Sequence, residues 1–310
     1  MPAPGCVLAL RGEDVVYESS SGPADPASGQ PCTRATRFQI ASISKQFTAA
    51  AVLLLVDAGA ASLQQRLEQW IPRTPPAWRD ITVHELLTHT SGLGHWDDYP
   101  SVDLCRRAEP DELVETFLAR RPDFPSGSRF AYSSPGYVLL ARLVEYTSGR
   151  PYHRFLAESV FERLGMAHSF AGSPGAEVDL AVGCEGATPV PSFELDTVGI
   201  GAGDVWSTTF DLAIWDRAVH EDGFLTPRSR AAMLSPQVGV GPEAPDTSYG
   251  YGWVVGPLLD HRACYHEGHN DGFTALNAWL PDVDVRFVAL SNQDATDKAV
   301  FHEILASVLV

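Results

Sequence analysis

The chain has 310 residues, 45% of them hydrophobic, and its 39 acidic against 22 basic side chains give a formal charge of −17. That size supplies a large core with no need of disulfide or metal staples. The basic residues are scattered, the longest runs being Arg106-Arg107 and Arg120-Arg121, so nucleic acid and anionic membrane are poor partners, since both require a concentrated positive surface.

The opening MPAPGCVLALRGED lacks a positive stretch followed by a long apolar run and a cleavage site, and no apolar segment reaches the roughly 18 residues of a membrane span. A soluble, cytoplasmic chain is expected. Five widely spaced cysteines (Cys6, Cys32, Cys105, Cys184, Cys264), odd in number and without a CxxC pair, suit reduced thiols.

GCVLAL, the turn RGED and VVYESS alternate as a β-hairpin. After a Pro/Gly/Ser-rich loop over 22–30, the segment FQIASISKQFTAAAVLLLVDAG predicts a helix from about Ser42 to Asp57, stopped by Gly59. Its apolar residues cover nearly the whole circumference, so it belongs between layers. From 80 to about 202 the pattern is helices and long loops: PDELVETFLARR, GYVLLARLVEYTSG and YHRFLAESVFERLG all show helical spacing. A Gly/Pro-rich region over 165–203 reads as functional loop. The last third returns to strands in YGYGWVVG, RACYHEG, GFTALNAWL and VRFVALSN, and DKAVFHEILASVLV closes as an amphipathic helix.

Strands at both ends around a helical middle imply an α/β (α+β) fold: one antiparallel sheet flanked by helices and built from both chain ends, plus an all-helical subdomain. The expected division is 1–62 with 203–310 for the sheet and 63–202 for the helices, with ligands favoured in the cleft between them.

Ser42 and Lys45, three apart at a helix start, share one face, and the serine sits near the positive end of the helix dipole. An ammonium among apolar neighbours loses solvation, its pKa falls, and a neutral amine becomes available to activate the serine. By itself S-x-x-K is a weak signal. LLTHTSGL, then FPSGSRFAYSSPGYVLLARLVE with Tyr132 and Ser134 ahead of a helix, then YHEGHNDGF on a late hairpin add to it.

With these segments in that order, together with GDVWSTTFDLAIW, the chain resembles the serine β-lactamase and penicillin-binding-protein superfamily over nearly its whole length. The branch is that of class C β-lactamases, D-peptidases and family VIII esterases. The resemblance implies Ser42 as acylated nucleophile, Lys45 as its base partner and Tyr132 as the tyrosine of a Y-x-N motif that relays protons. It implies His266 and Gly268 as the third motif, and the backbone N–H groups of Ser42 and His269 as an oxyanion hole whose donors are each worth about 3 kcal/mol. Ser134, His266, Glu267 and Gly268 are the expected substrate-binding positions, and no cofactor or metal is implied.

Two positions depart from the pattern. Ser134 stands where the family has Asn, offering one hydroxyl in place of an amide. Glu267 stands where a small hydroxyl residue usually helps hold a substrate carboxylate, so a penicillin or a D-Ala-D-Ala terminus would meet like charge if Glu267 faces the cleft. The implied activity is an SxxK serine hydrolase, an esterase on small neutral or amine-bearing acyl donors. A D-amino-acid peptidase or amidase and a biosynthetic transacylase are the alternatives, and a non-catalytic binding protein on this fold is the alternative of another class. Relatives carry a helix ahead of the first strand that is not seen here, so an oligomer through the uncovered sheet face is a further expectation.

Rival motifs are weaker. The histidines of HELLTH, His84 and His89, are five apart and face different ways, unlike a zinc signature. GIGAGD (199–204) lacks the context of a dinucleotide loop and reads as a loop near the cleft. No G-x-S-x-G occurs. Trp96, Tyr99, Trp206, Tyr249 and Tyr251 are candidates to line the cleft.

Overall fold

The computed structural model describes residues 5–221, 223–294 and 298–310. Its centre is an eight-stranded antiparallel sheet, in the order Val238–Gly239, Ser248–Tyr249, Val254–Leu258, His261–Asn270, Phe273–Leu280, Val285–Ser291, Gly5–Arg11 and Asp14–Ser21. The first hairpin joins the last strand, with Cys6 opposite Leu290 and Arg11 opposite Val285. One sheet is thus assembled from both ends of the chain, as the alternating patterns predict.

The helices, in chain order, are α1 (Ser44–Asp57), α2 (Val83–Leu87), α3 (Pro110–Ala119), α4 (Ser134–Ser148), α5 (Tyr152–Leu156), α6 (Glu162–Leu164), α7 (Thr209–His220), α8 (Pro227–Leu234) and α9 (Lys298–Leu309). The period-2 alternation divides the sheet's side chains between two cores. On one face Val7, Ala9, Leu276, Ala278 and Phe287 pack against Phe301 and Leu305 of α9. On the other, Cys6, Cys264, Ala275, Val288 and Leu290 join a larger core that runs through α1 and α4. With both faces covered, Val285–Ser291 is buried at every position.

Helix α1 is buried from Ser44 through Leu53, as its all-round apolar surface requires. A 3₁₀ turn, Ala41–Ile43, precedes it, so Ser42 sits in that turn and not in the α-helix proper. Helix α4 begins one residue after Ser133, whose hydroxyl accepts the N–H of Gly136, and ends at Gly149 with φ of 67°. Ser134 is therefore the first residue of α4, which starts two residues ahead of the helical segment GYVLLARLVEYTSG read from sequence.

The last third is less purely β than its pattern suggests, because α7 and α8 lie between the strands. Thr, Phe, Ile and Trp give STTFDLAIW a strand-like composition. Thr208 nevertheless caps α7 by accepting the N–H of Asp211, and Leu212, Trp215 and Val219 fall on its buried side. All five cysteines are unpaired. Among the described residues no helix is long and apolar enough to cross a membrane.

Asp216 of α7 is fully buried, with Oδ1 accepting from Asn277 Nδ2 at 3.0 Å and Oδ2 unpaired. Burial pushes its carboxyl up to about 7, against the pull of Asn277 and Arg286. The folded state then holds a proton that the unfolded chain has already released, so this group's contribution to stability is fullest below pH 4 and falls as pH rises toward 7. The span corresponds to a loss on the order of 4 kcal/mol. Asp216→Asn is expected to raise the unfolding midpoint in urea at pH 8 relative to the wild type, with the advantage shrinking at pH 5.

Candidate active site

Ala41 adopts φ of 49°, the left-handed region that a residue with a Cβ enters at a cost of about 1–2 kcal/mol. This strained residue immediately precedes Ser42, and the 3₁₀ turn then delivers the chain into α1. One turn on, Lys45 is fully buried. Its Nζ donates to Ala202 O at 2.7 Å, Ser134 Oγ at 3.1 Å and Ser42 Oγ at 3.2 Å. Burial lowers the amine to about 7, while the charge of buried Asp204 acts in the opposite direction. The apolar setting of α1 thus brings the protonated and neutral forms to near-equal population at neutral pH.

The loop over 199–204, read from sequence as lying near the cleft, is fastened to α1. Thr48 Oγ1 donates to Gly201 O at 2.6 Å, and Ser44 Oγ accepts from the N–H of Val205 at 2.9 Å. A Cβ on Gly201, where φ is 72°, would lie 2.7 Å from Tyr137 O. The glycine lets this loop pass close enough to α4 for Ala202 to offer its carbonyl to Lys45.

Tyr132 comes from the loop leading into α4. Its ring lies beneath the amine, with Lys45 Nζ 5.0 Å from the ring centroid. The buried phenol has no partner at good hydrogen-bonding geometry. Burial raises its pKa, and the Ser42 hydroxyl is the neighbour that tempers the rise. The phenol is thus protonated at neutral pH and aimed at the region of Ser42.

Two histidines hold this loop. His89 Nδ1 accepts the N–H of Ser133 at 3.1 Å, and His95 Nδ1 accepts the N–H of Ser134 at 3.2 Å. Burial first, and the charge of Lys45 second, hold His89 well below its ordinary pKa and lower His95 to about 4. Both rings are therefore neutral acceptors at Nδ1, which places the proton on Nε2. Sequence reading used LLTHTSGL as a marker and passed over these roles. The concentration of His89 and His95 around a Ser-Gly-Leu-Gly turn was the available signal. His84 instead pairs with Tyr251, Nδ1 to OH at 2.8 Å, and no group of three or more metal-ligating side chains occurs among the described residues.

The third wall is the His261–Asn270 strand. His266 Nδ1 donates to the Glu267 carbonyl at 2.6 Å, and its Nε2 meets the hydroxyl of Tyr249 at 3.0 Å. A Cβ on Gly268 would lie 2.2 Å from Ile40 O, so only glycine lets the strand approach the segment that carries Ser42. His269 is exposed, its Nε2 2.8 Å from Asp294 Oδ1. Ser42, His95, Tyr132, His266, Glu267, Gly268 and His269 all border one open cleft of about 450 Å³. Ser134 does not: it is only 4% exposed and faces Lys45. Of the five aromatic candidates, Tyr249 lines the cleft, and Trp96, Tyr99, Trp206 and Tyr251 do not. A larger cavity of about 650 Å³ between Trp70 and Tyr146 touches none of these groups, so size alone does not mark the site.

The arrangement is an alcohol beside a desolvated amine and a protonated phenol, against the His261–Asn270 strand of the sheet, open to a small ligand. Comparison with known proteins gives the same kinship. The chain is 30% identical to esterase EstB of Burkholderia gladioli, over 83% of this chain and 76% of that protein. It superposes on a penicillin-binding protein from Bacillus halodurans with a TM-score of 0.86 and 28% identity, covering 99% of this chain and 96% of that one. For the D-amino acid amidase of Ochrobactrum anthropi SV3, in complex with L-phenylalanine, the TM-score is 0.85 and the identity 25%, with 99% and 92% covered. The β-lactamase family pattern matches residues 3–308, and the chain belongs to that family of serine hydrolases.

Proposed function

We propose that the protein hydrolyses esters of small neutral or amine-bearing acyl groups through an acyl-enzyme on Ser42. The observation that carries this reading is the contact of a fully buried amine, lowered to about 7, with the hydroxyl of Ser42. Neutral Lys45 takes the Ser42 proton as Oγ bonds to the acyl carbon. The backbone N–H groups of Ser42 and His269 receive the carbonyl oxygen as it gains charge. Collapse breaks the ester C–O bond; Tyr132 gives its proton to the departing alkoxide and takes the one held by the Lys45 ammonium, which leaves Lys45 neutral for the next step. Water then attacks the acyl-enzyme by the reverse path, with Lys45 and Tyr132 again managing the proton.

Glu267 on the cleft wall supports the substrate class. A carboxylate there repels substrates with a carboxylate near the scissile bond and attracts an ammonium. The same feature favours a second reading, a D-aminoacyl amidase, because such substrates carry an ammonium beside the scissile carbonyl.

Fluorophosphonate labelling followed by intact-mass measurement tests the nucleophile. One adduct on the wild type and none on Ser42→Ala is expected, and an unlabelled wild type favours a binding protein. A panel of p-nitrophenyl esters and D-aminoacyl p-nitroanilides separates esterase from amidase. Because the base form of Lys45 is required, kcat/KM should rise with pH through an apparent pKa near 7 and level off above it. Glu267→Gln is expected to lower kcat/KM for an ammonium-bearing ester roughly tenfold and to raise it for a carboxylate-bearing one, by loss of a like-charge or opposite-charge contact.

A further inference from the structure

Asp204 ends the loop that offers the Ala202 carbonyl to Lys45, and its carboxylate is completely buried. Oδ2 pairs with His153 Nε2 at 3.0 Å, and Oδ1 has no partner among the described residues. A buried carboxylate with one oxygen unsatisfied is unfavourable, and the proton transfers assigned to Ser42, Lys45 and Tyr132 make no use of it. His153 stands on α5 with its side chain 26% exposed, so the pair links solvent to the buried side of the Lys45 loop.

The surrounding chain is shaped to hold this pair. The N–H of Gly172 donates to Asp204 O at 2.9 Å. A Cβ on Gly172, where φ is 92°, would lie 2.7 Å from His153 Nδ1 and 2.8 Å from Asp196 Oδ1, so glycine lets the chain pass close to both. Burial opposes protonation of His153, but the hydrogen bond and charge of Asp204, followed by the charges of Asp196 and Glu145, outweigh it and raise the pKa of the ring. Tyr152, whose hydroxyl is 2.6 Å from Thr48 Oγ1, also faces Asp204, and burial and then the charge of Asp204 hold it protonated.

The other groups around Lys45 Nζ are neutral. They are the hydroxyls of Ser42 and Ser134, the carbonyl of Ala202, the rings of Tyr132 and Tyr137, and the uncharged imidazoles of His89 and His95. The charge that opposes the desolvation of the amine is that of Asp204.

We propose that Asp204 and His153 act together as a positioning pair that sets the proton affinity of Lys45. The carboxylate stabilises the ammonium that forms when Lys45 takes the Ser42 proton. The imidazolium neutralises the carboxylate in turn, and so keeps that attraction from locking the amine in its charged form. The pair rests on the reading of Ser42 as nucleophile and Lys45 as its base. Its two members pull in opposite directions: Asp204 raises the pH at which the amine is freed, and His153 lowers it.

The test is the rate of fluorophosphonate labelling of the full chain between about pH 5 and pH 9, which depends on activation of Ser42 and on no particular substrate. In the wild type the rate should rise through a midpoint near 7. Asp204→Asn, which keeps an acceptor for His153, should move that midpoint down by about one pH unit. His153→Gln, which keeps a donor for Asp204 but carries no charge, should move it up by about as much, and the double variant should follow Asp204→Asn. A mere tether of the loop would slow labelling in both variants and move neither midpoint. If Asp204→Asn does not fold, His153→Gln decides by the sign of its shift. Midpoints that stay at the wild-type value, or move the same way, overturn the pair's role and leave the nucleophile reading standing, whereas a wild type unlabelled at every pH overturns that reading and the pair's role with it.

Discussion

On the proposed mechanism, Ser42→Ala is expected to lower ester hydrolysis by about 10⁵-fold, because nucleophile and base would act as a unit and the remaining cleft would supply only binding and oxyanion contacts. Lys45→Met should lose activity to a comparable degree for the same reason. The two variants part company in stability. Lys45 gives up its proton in the folded state near pH 7, well before the unfolded chain does at about 10.5. Wild-type stability therefore rises with pH between about 7 and 10, and at pH 7 and below the buried ammonium is a net burden. Methionine removes that burden and the slope with it, and leaves the carbonyl of Ala202 without its donor. The unfolding midpoint of Lys45→Met is expected to equal or exceed the wild type at pH 7, and Ser42→Ala to stay within about 1 kcal/mol. Ester turnover and urea unfolding at pH 7 and 9 check both. A Lys45→Met protein that is far less stable than the wild type at pH 7 would contradict the account of a functional residue held at the fold's expense.

Gly268→Ala has the second largest expected effect. The added methyl would meet Ile40 O at 2.2 Å and Ala275 Cβ at 3.2 Å, and neither is the loose end of a flexible side chain. Strand and turn must separate, which in the proposed mechanism moves the His269 N–H, the second oxyanion donor, away from Ser42. Loss of one oxyanion donor corresponds to roughly 10²–10³ in kcat, and the forced separation to about 1–3 kcal/mol of stability. Gly239→Ala is the control, since nothing lies within 4 Å of its new methyl and its φ is not positive. It should be neutral in both measurements. A Gly268→Ala enzyme with unchanged kcat would mean that the His269 N–H contributes nothing to the reaction.

What was legible in the sequence follows the reach of each interaction. Ser42 and Lys45 are three residues apart, so local helical geometry alone brings them into contact. The sheet was legible because alternation marks strands independently of their partners, and the first and last segments had no others to pair with. The roles of His89 and His95 were not legible. Their partners are backbone N–H groups some 40 residues away, and a backbone donor leaves no trace in residue type. The depth of Ser134 was hidden in the same way, since sequence placed it in a loop facing the cleft and the capping by Ser133 draws it into α4. Helix α7 was missed because the β-branched and aromatic residues on its buried side, Thr209, Trp215 and Val219, are also those favoured in strands, and the short α8, PRSRAAML, buries only Ser229 and Met233 and so leaves no apolar stripe to read.

The antiparallel match between Gly5–Arg11 and Val285–Ser291 also has a consequence for how the molecule is made. Roughly 270 residues must leave the ribosome after the opening hairpin before its inner edge meets a mate, a wait of tens of seconds at ordinary synthesis rates. Until then a row of backbone groups and the side chains of Val7, Leu8 and Ala9 lie open to any passing strand. Folding of the central layer is thereby deferred until residues 285–291 have been made, and a nascent chain stalled before residue 285 is a natural client for chaperones.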